Sequence, residues 1–137
     1  MKLVVDTNVL VSAFLSNKGA PFIVVKRIMA DEVVVVYSPE IEYEYRDVLA
    51  RPEFKFDALE IEKLFEVIEN SGICVEGQPW DQPLPDASDA KFLEAALAGE
   101  AKYLVTGNLK DFPEANRRGV MVISPRELVD KIDGINN

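Results

Sequence analysis

Short runs of β-branched residues alternate with longer amphipathic segments along this chain, and this alternation constrains the fold more than any other feature. The run at 33–37, Val-Val-Val-Val-Tyr, is too short for a helix and has the composition of a buried strand. Similar patterns predict the other strands, at 2–6, 73–75, 103–105 and 120–122. Strands that alternate with helices form a parallel sheet covered by helices.

Helical periodicity fills the segments between the predicted strands. It predicts helices at 8–15, 21–31, 39–50, 58–70, 87–98 and 125–132. The tail at 133–137 is expected to fray. The expected fold is α/β, a three-layer α/β/α sandwich around a mainly parallel sheet of about five strands. We expect residues 1–137 to form a single domain.

Composition excludes several kinds of enzyme. The 137 residues include no His, which excludes Ser-His-Asp and Cys-His catalysis and His-ligated zinc sites. Neither of the Gly-rich phosphate-binding motifs occurs. The 24 acids exceed the 15 Lys and Arg, giving a net charge of -9. This charge disfavours passive binding of nucleic acid, but it permits an acid cluster that is neutralised by a divalent metal.

Cysteine usage and hydropathy predict the compartment. The single Cys74 cannot form a disulfide within the chain. The apolar runs are too short to cross a bilayer, and the start of the chain lacks the pattern of a signal peptide. The sequence therefore predicts a cytoplasmic protein that does not interact with membranes.

Three acids lie where solvated acids normally do not. Asp6 ends the first predicted strand, and ligands of parallel sheets bind just outside the carboxyl ends of the strands. Glu44 lies on the apolar stripe of helix 39–50, and Asp89 lies in the first turn of the apolar face of helix 87–98. Because an inward-facing carboxylate costs free energy unless something compensates it, a site shared by all three is the better explanation.

Each acid taken alone has a simpler explanation. Asp6 could belong to a turn at the end of the strand. Asp89 could complement the dipole of its helix. Glu44 could form an ion pair with Arg27 or Arg46.

Other polar residues flank these acids. Asp86 is most simply an N-cap, and Asn8 a cap of the first helix. Thr106 and Asn108 follow the fourth predicted strand, where a tight turn is the simplest explanation. If that strand neighbours the first, however, both side chains would lie beside Asp6 and could help to form the same site.

Four segments of the chain resemble motifs of one known family. The residues at 4–10 resemble the opening strand and first acid of the PIN-domain ribonucleases, which include the VapC-type toxins of toxin–antitoxin pairs. The segments 44–52, 85–96 and 104–108 resemble the second acidic, third acidic and closing motifs of this family, in that order. One departure is Asn108, because many members have an acid at this position.

The resemblance implies a Mg²⁺- or Mn²⁺-dependent endoribonuclease that cleaves single-stranded RNA. The residues implied in metal binding and catalysis are Asp6, Glu44 and Asp89. Supporting roles fall to Asn8, Asp86, Thr106 and Asn108, with Asp111 as a weaker candidate for the missing charge. Candidates for contact with the RNA backbone are Lys26, Arg27, Arg46, Arg51 and Lys91. The resemblance also implies an antitoxin partner and a homodimer or higher homo-oligomer.

Alternative functions remain open at this point. The net charge and Asn108 are both compatible with a catalytically weak PIN-fold module that serves for binding or dimerisation. A phosphatase with Asp6 as its nucleophile is less favoured, since the following Thr7 and Asn8 do not supply a second acid. A phospho-accepting receiver domain would need an acid after a middle strand, but 33–37 is followed by Ser-Pro.

Overall fold

A five-stranded parallel sheet forms the centre of the computed structural model, which describes residues 1–136. The strands are β1 (Lys2–Val5), β2 (Val34–Tyr37), β3 (Ile73–Cys74), β4 (Tyr103–Val105) and β5 (Val122–Ile123). Their order across the sheet is β3-β2-β1-β4-β5, and every neighbouring pair is parallel. The first strand of the chain is therefore the central strand of the sheet.

Helices pack against this sheet in the alternating order that the sequence predicts. They are α1 (Thr7–Leu15), α2 (Ala20–Met29), α3 (Pro39–Leu49), α4 (Ala58–Ser71), α5 (Ala90–Ala98) and α6 (Pro125–Asn136). The predicted α/β sandwich with a parallel sheet is thus confirmed. Within residues 1–136, no single helix is long and apolar enough to cross a membrane, and α1 and α2 qualify only as a pair bent by 102°.

Most element boundaries differ from the sequence-based expectation by one to four residues, and β5 and α6 are two examples. β5 begins two residues later than predicted, because its ladder with β4 pairs Val105 with Ile123. α6 continues beyond the predicted end at residue 132, and Arg27 forms an ion pair with Asp133 across 3.1 Å. The tail that was expected to fray is therefore helical as far as Asn136. The last residue of that tail, at position 137, lies outside the described residues.

The central strand is buried on both faces. Leu3 and Val4 of β1 have no exposed surface, as expected of a parallel strand with helices on both sides. β1 pairs with β4 so that Val5 lies opposite Val105. The backbone N–H of Asp6 donates to the carbonyl of Val105 at 2.9 Å, which extends this pairing one residue beyond the strand. The register therefore fixes where the first polar side chain after β1 emerges.

Tyr45 of α3 forms a hydrogen bond to this end of β1. Its ring is fully buried, and its hydroxyl donates to the carbonyl of Val5, immediately before Asp6. We expect Tyr45→Phe to lower the free energy of unfolding by about 1–3 kcal/mol, because a buried carbonyl loses its hydrogen-bond donor. Urea denaturation measures this change. The matched control is Tyr43→Phe, where the side chain is 74% exposed, and equal effects of the two substitutions would contradict the prediction.

Candidate active site

Asp6 emerges at the carboxyl end of the central strand. It is only 6% exposed, and its Oδ2 accepts a hydrogen bond from the hydroxyl of Thr106 at 2.9 Å. The same hydroxyl accepts from the backbone N–H of Asn108 at 3.1 Å. The turn after β4 therefore lies beside Asp6, as the sequence predicts for the case in which β1 and β4 are neighbours.

Glu44 projects from α3 toward the same edge of the sheet. Its Oε2 accepts a hydrogen bond from the hydroxyl of Thr7, and its Oε1 lies 2.8 Å from the ammonium of Lys91. The cation that pairs with Glu44 is therefore a lysine on α5, and not Arg27 or Arg46, which pair with other acids.

Asp89 is placed by a 3-10 turn, Ala87–Asp89, which leads into α5. Asp86 caps this turn, since its Oδ1 accepts from the backbone N–H of Ser88 at 2.9 Å and from the hydroxyl of Ser88 at 2.7 Å. The predicted helix at 87–98 is thus a tighter 3-10 turn at its start. Asp89 is the last residue before the α-helix, where its carboxylate is partly buried.

Neighbouring acids at this edge of the sheet affect one another's pKa values. Burial raises the pKa of Asp6 from 3.8 to about 6, and the nearby charges of Glu44 and Asp111 act in the same direction. Burial also raises the pKa of Asp89 from 3.8 to about 7. The charges of Asp6, Asp86 and Asp111 contribute to that increase. These carboxylates repel one another at one edge of the sheet, which is the arrangement that attracts a cation.

The turn after β4 contributes an acid that the sequence ranked low. The 3-10 turn Leu109–Asp111 folds back, so that the charge of Asp111 raises the pKa of both Asp6 and Asp89. The side-chain amide of Asn108 donates to Asp111 Oδ1 at 3.2 Å. Asn108 therefore holds a carboxylate near the cluster, while adding no charge of its own. Spacing along the turn could not reveal this, because it depends on how the turn folds.

Thr7 and Asn8 connect neighbouring elements of the site. α1 has no side-chain capping hydrogen bond, so the expectation that Asn8 caps this helix is wrong. The side-chain carbonyl of Asn8 instead accepts from the backbone N–H of Gly107 at 3.0 Å. This contact joins the segment after β1 to the turn after β4, just as Thr7 joins the segment after β1 to Glu44.

The five basic candidates for RNA contact do not share one location. In the described part of the chain, only Lys91 among them contacts an acid of the cluster. Ion pairs with other acids engage Arg27, Arg46 and Arg51. Lys26 lies over the ring of Phe22, 5.6 Å from its centroid. Lys91 was predicted as a candidate for contact with RNA, but its ammonium instead forms an ion pair with Glu44. Lys91 lies four residues before Ala95, which is fully buried. Residues four apart share one face of a helix, so this spacing indicates that Lys91 lies on the inner face of α5.

The donor set fits an oxygen-preferring divalent cation. No three His, Cys, Asp or Glu side chains within residues 1–136 converge into a ready-made metal cage. Mg²⁺ does not need one, because it usually keeps several waters and is bound through one or two carboxylates. Asp6 and Asp89 offer carboxylate oxygens as ligands. Burial and the charges of neighbouring acids oppose the ionisation of both carboxyl groups. A divalent cation would relieve that opposition at both.

Comparison with known proteins identifies the family. The PIN domain family model matches residues 2–110, so this chain belongs to the PIN-domain family. Among solved structures, the fold is similar to the crystal structure of FitAcB from Neisseria gonorrhoeae, with 16% identity, a TM-score of 0.58, and coverage of 90% of this chain and 98% of that chain.

A second structure shows the same likeness. VapBC2 from Rickettsia felis, bound to a DNA fragment from their promoter, matches with 14% identity and a TM-score of 0.58, covering 90% of this chain and 98% of that chain. At such identities the similarity concerns the fold. None of the curated proteins matches the chain.

The raised pKa values predict how stability depends on pH in metal-free protein. Asp89 binds its proton more tightly in the folded state than in the unfolded state. Its contribution to stability is therefore complete below its ordinary pKa of 3.8 and is lost as the pH rises through about 7. Asp89→Asn should raise the free energy of unfolding above that pH by about 1 kcal/mol, less than the full shift implies because solvent screens a partly exposed group.

Urea denaturation in EDTA, repeated from about pH 4 to about pH 8, measures this effect. Asp130→Asn is the control, since Asp130 is an exposed acid of α6 and its substitution makes the same change in charge. If Asp89→Asn were no more stable than the wild type at the upper end of this range, the electrostatic description of the cluster would be wrong.

Proposed function

We propose that this chain is a Mg²⁺- or Mn²⁺-dependent endoribonuclease of the cytoplasm that cleaves single-stranded RNA and acts as the toxin of a toxin–antitoxin pair. PIN domains are generally nucleases, which supports the reaction class. One observation carries the proposal further. Asp6 follows the central strand at its carboxyl end, and Asp89 lies near enough for the charge of Asp6 to act on it; their pKa values are raised to about 6 and about 7. Ligands of parallel sheets bind at this edge.

The arrangement assigns a role to each acid. Asp6 and Asp89 would hold the cation, directly or through water. A bound divalent cation lowers the pKa of a water ligand and offsets the charge that develops on the phosphate. Glu44, whose carboxylate is fixed by Thr7 and Lys91, would orient the attacking water through its remaining lone pairs.

In this hydrolysis one bond to phosphorus forms, one breaks, and both protons are accounted for. The oxygen of the attacking water forms a bond to phosphorus while the bond from phosphorus to the leaving nucleotide oxygen breaks. One proton of the water passes to a carboxylate of the cluster, and the leaving oxygen takes a proton from solvent. The chain's own contribution is to position the water and to exclude other geometries, because its acids are held on three elements of a rigid fold.

The catalytically weak binding module is the main alternative. It rests on Asn108, which lacks the charge that many family members have at this position. The contact between Asn108 and Asp111 argues against this alternative, since it holds another carboxylate near Asp6. Part of the missing negative charge is thereby supplied by a residue three positions further along.

Cleavage of labelled single-stranded RNA tests the reaction. We expect the wild type to cleave the RNA with Mg²⁺ or Mn²⁺ and to be inactive in EDTA. Asp6→Asn should reduce the rate at least about 100-fold, because even residues that only support metal ligands cost about 10–100-fold when they are replaced. Asp130→Asn is the matched control and should cleave normally. Cleavage that is indifferent to both metal and Asp6→Asn would favour a contaminating nuclease or the binding module.

An apolar groove supports the partner part of the proposal. The groove has a volume of about 1220 Å³ and runs between α1, α2 and the segment before α4. Its apolar lining includes Phe14, Leu15, Phe22, Met29, Phe54 and Phe56. Leu15 is 62% exposed and Met29 38%, which is unusual for large apolar side chains that share one groove. Three lysines, Lys18, Lys26 and Lys55, and two acids, Asp57 and Glu60, also line it, so that basic side chains outnumber acidic ones here in a chain with a net charge of -9.

These properties define the occupant that the groove fits. An amphipathic helix with acidic residues beside its apolar face would cover the exposed side chains and meet the three lysines. We therefore propose that the antitoxin contributes such a helix. The family resemblance further predicts a homodimer, and light scattering after size-exclusion chromatography measures that mass directly.

Growth of bacterial cells that express the chain tests toxicity and partner binding together. Expression should arrest growth, and Asp6→Asn should abolish the arrest. Co-expression of the protein encoded by the adjoining gene should restore growth. Leu15→Glu should leave the chain toxic but prevent that rescue, because it places a charge among the apolar residues of the groove. The control is Leu59→Glu, at a leucine that is 72% exposed and does not line the groove, and its rescue should be unchanged.

A further inference from the structure

Lys91 is an unusual residue to find buried at the edge of the sheet. It lies in the first turn of α5, two residues after Asp89, and is only 6% exposed. Lysine is almost never fully buried unless it is paired. Its ammonium forms an ion pair with Glu44 and also donates to the backbone carbonyl of Ser88. The fold therefore places a fixed positive charge inside the acidic cluster.

The acids of the cluster fall into two groups because of this lysine. Glu44 has both carboxylate oxygens engaged, one by Lys91 and one by the hydroxyl of Thr7. Its negative charge is compensated within the chain. Asp6 and Asp89 form no ion pair within residues 1–136: Asp6 Oδ2 accepts from the hydroxyl of Thr106, and the charge of Lys91 acts on Asp89 without direct contact. A cation from solvent would therefore meet carboxylates without an ion-pair partner at the two aspartates, and a carboxylate that is already paired at Glu44.

The neutral side chain of Asn108 also favours a single external cation. An asparagine at this corner makes the cluster less negative than it would be with an acid there. A second divalent ion placed beside Glu44 would also lie next to the Lys91 ammonium. The repulsion would be strong, because two unit charges about 4 Å apart near a protein surface already interact by several times the thermal energy.

We propose that the ammonium of Lys91 occupies the position of a second cation, so that this chain binds one divalent ion, at Asp6 and Asp89. Lys91 is thus a positioning residue, which holds Glu44 in place and limits the number of ions. This inference rests on the proposed function, because it takes the acidic cluster to be a metal site. It goes further by fixing the stoichiometry and by naming the residue that sets it.

Isothermal titration calorimetry of the full chain with Mn²⁺ tests the inference, because it measures the number of ions bound per chain. The wild type should bind one Mn²⁺ per chain up to millimolar concentration. Lys91→Met removes the charge but keeps an unbranched side chain, and it should open a second site. We expect Mn²⁺ binding at that second site to tighten at least about 100-fold relative to the wild type, since the repelling charge is gone. Lys91→Arg keeps a cation and should keep a single site.

The controls separate the stoichiometry from the stability of the fold. Lys102→Met makes the same change in charge at an exposed lysine. Lys102 precedes β4, whereas Thr106 follows it, so Lys102 lies at the other end of the strand from the cluster. This variant should bind one ion. If Lys91→Met does not fold, Lys91→Gln retains a hydrogen-bond donor to Glu44 without the charge and should also bind two ions. A purely structural role of Lys91 would lower the melting temperature of these variants and leave the ion count unchanged.

Each outcome decides the inference. Two ions in the uncharged variants, with one in the wild type and the controls, support it. One ion in every variant overturns it, as do two ions or none in the wild type. Its failure differs from failure of the proposed function. A wild type that cleaves RNA with Mn²⁺ while all variants bind one ion refutes only the role of Lys91. A wild type that binds one Mn²⁺ and cleaves no RNA refutes only the ribonuclease.

Discussion

The parallel pairing of β1 with β4 is the constraint on which the site depends. Because Val5 lies opposite Val105, the next residues of the two strands, Asp6 and Thr106, emerge side by side and form a hydrogen bond. A shift of one residue would turn Asp6 to the other face of the sheet. The burial of β1 on both sides holds this register, since any slip would expose its apolar side chains to solvent. Packing thus determines where the chemistry occurs.

Burial has opposite consequences for the acids that meet at this edge. Asp6 and Asp89 lose hydration without gaining a cation, which is why their pKa values rise to about 6 and about 7. Glu44 is compensated by Lys91, so the fold itself neutralises one part of the cluster and leaves the other part for a ligand. The uncompensated pair costs the fold stability, and this cost is typical of sites that are arranged for binding and catalysis.

Membership in the PIN-domain family and the geometry of this chain support one another. The family supplies the reaction class, while the residues of this chain suggest how that reaction is adapted here. Asn108 and Lys91 both reduce the negative charge of the cluster, and Asp111 restores part of it from the next turn. The apolar groove lies among other elements, around α1 and α2, so a partner could bind there without using the side chains of the cluster.

The sequence alone determined the alternation of strands and helices, the parallel sheet and the three inward acids, because hydrophobic periodicity and strand ends are local properties. It could not determine which cation meets Glu44, since Lys91 is 47 positions away in the chain and its contact is made only when α3 and α5 pack together. It also ranked Asp111 below Asn108, because the 3-10 turn that folds Asp111 back leaves no mark in the spacing. Tertiary packing decided these contacts, since they join segments that are distant in sequence.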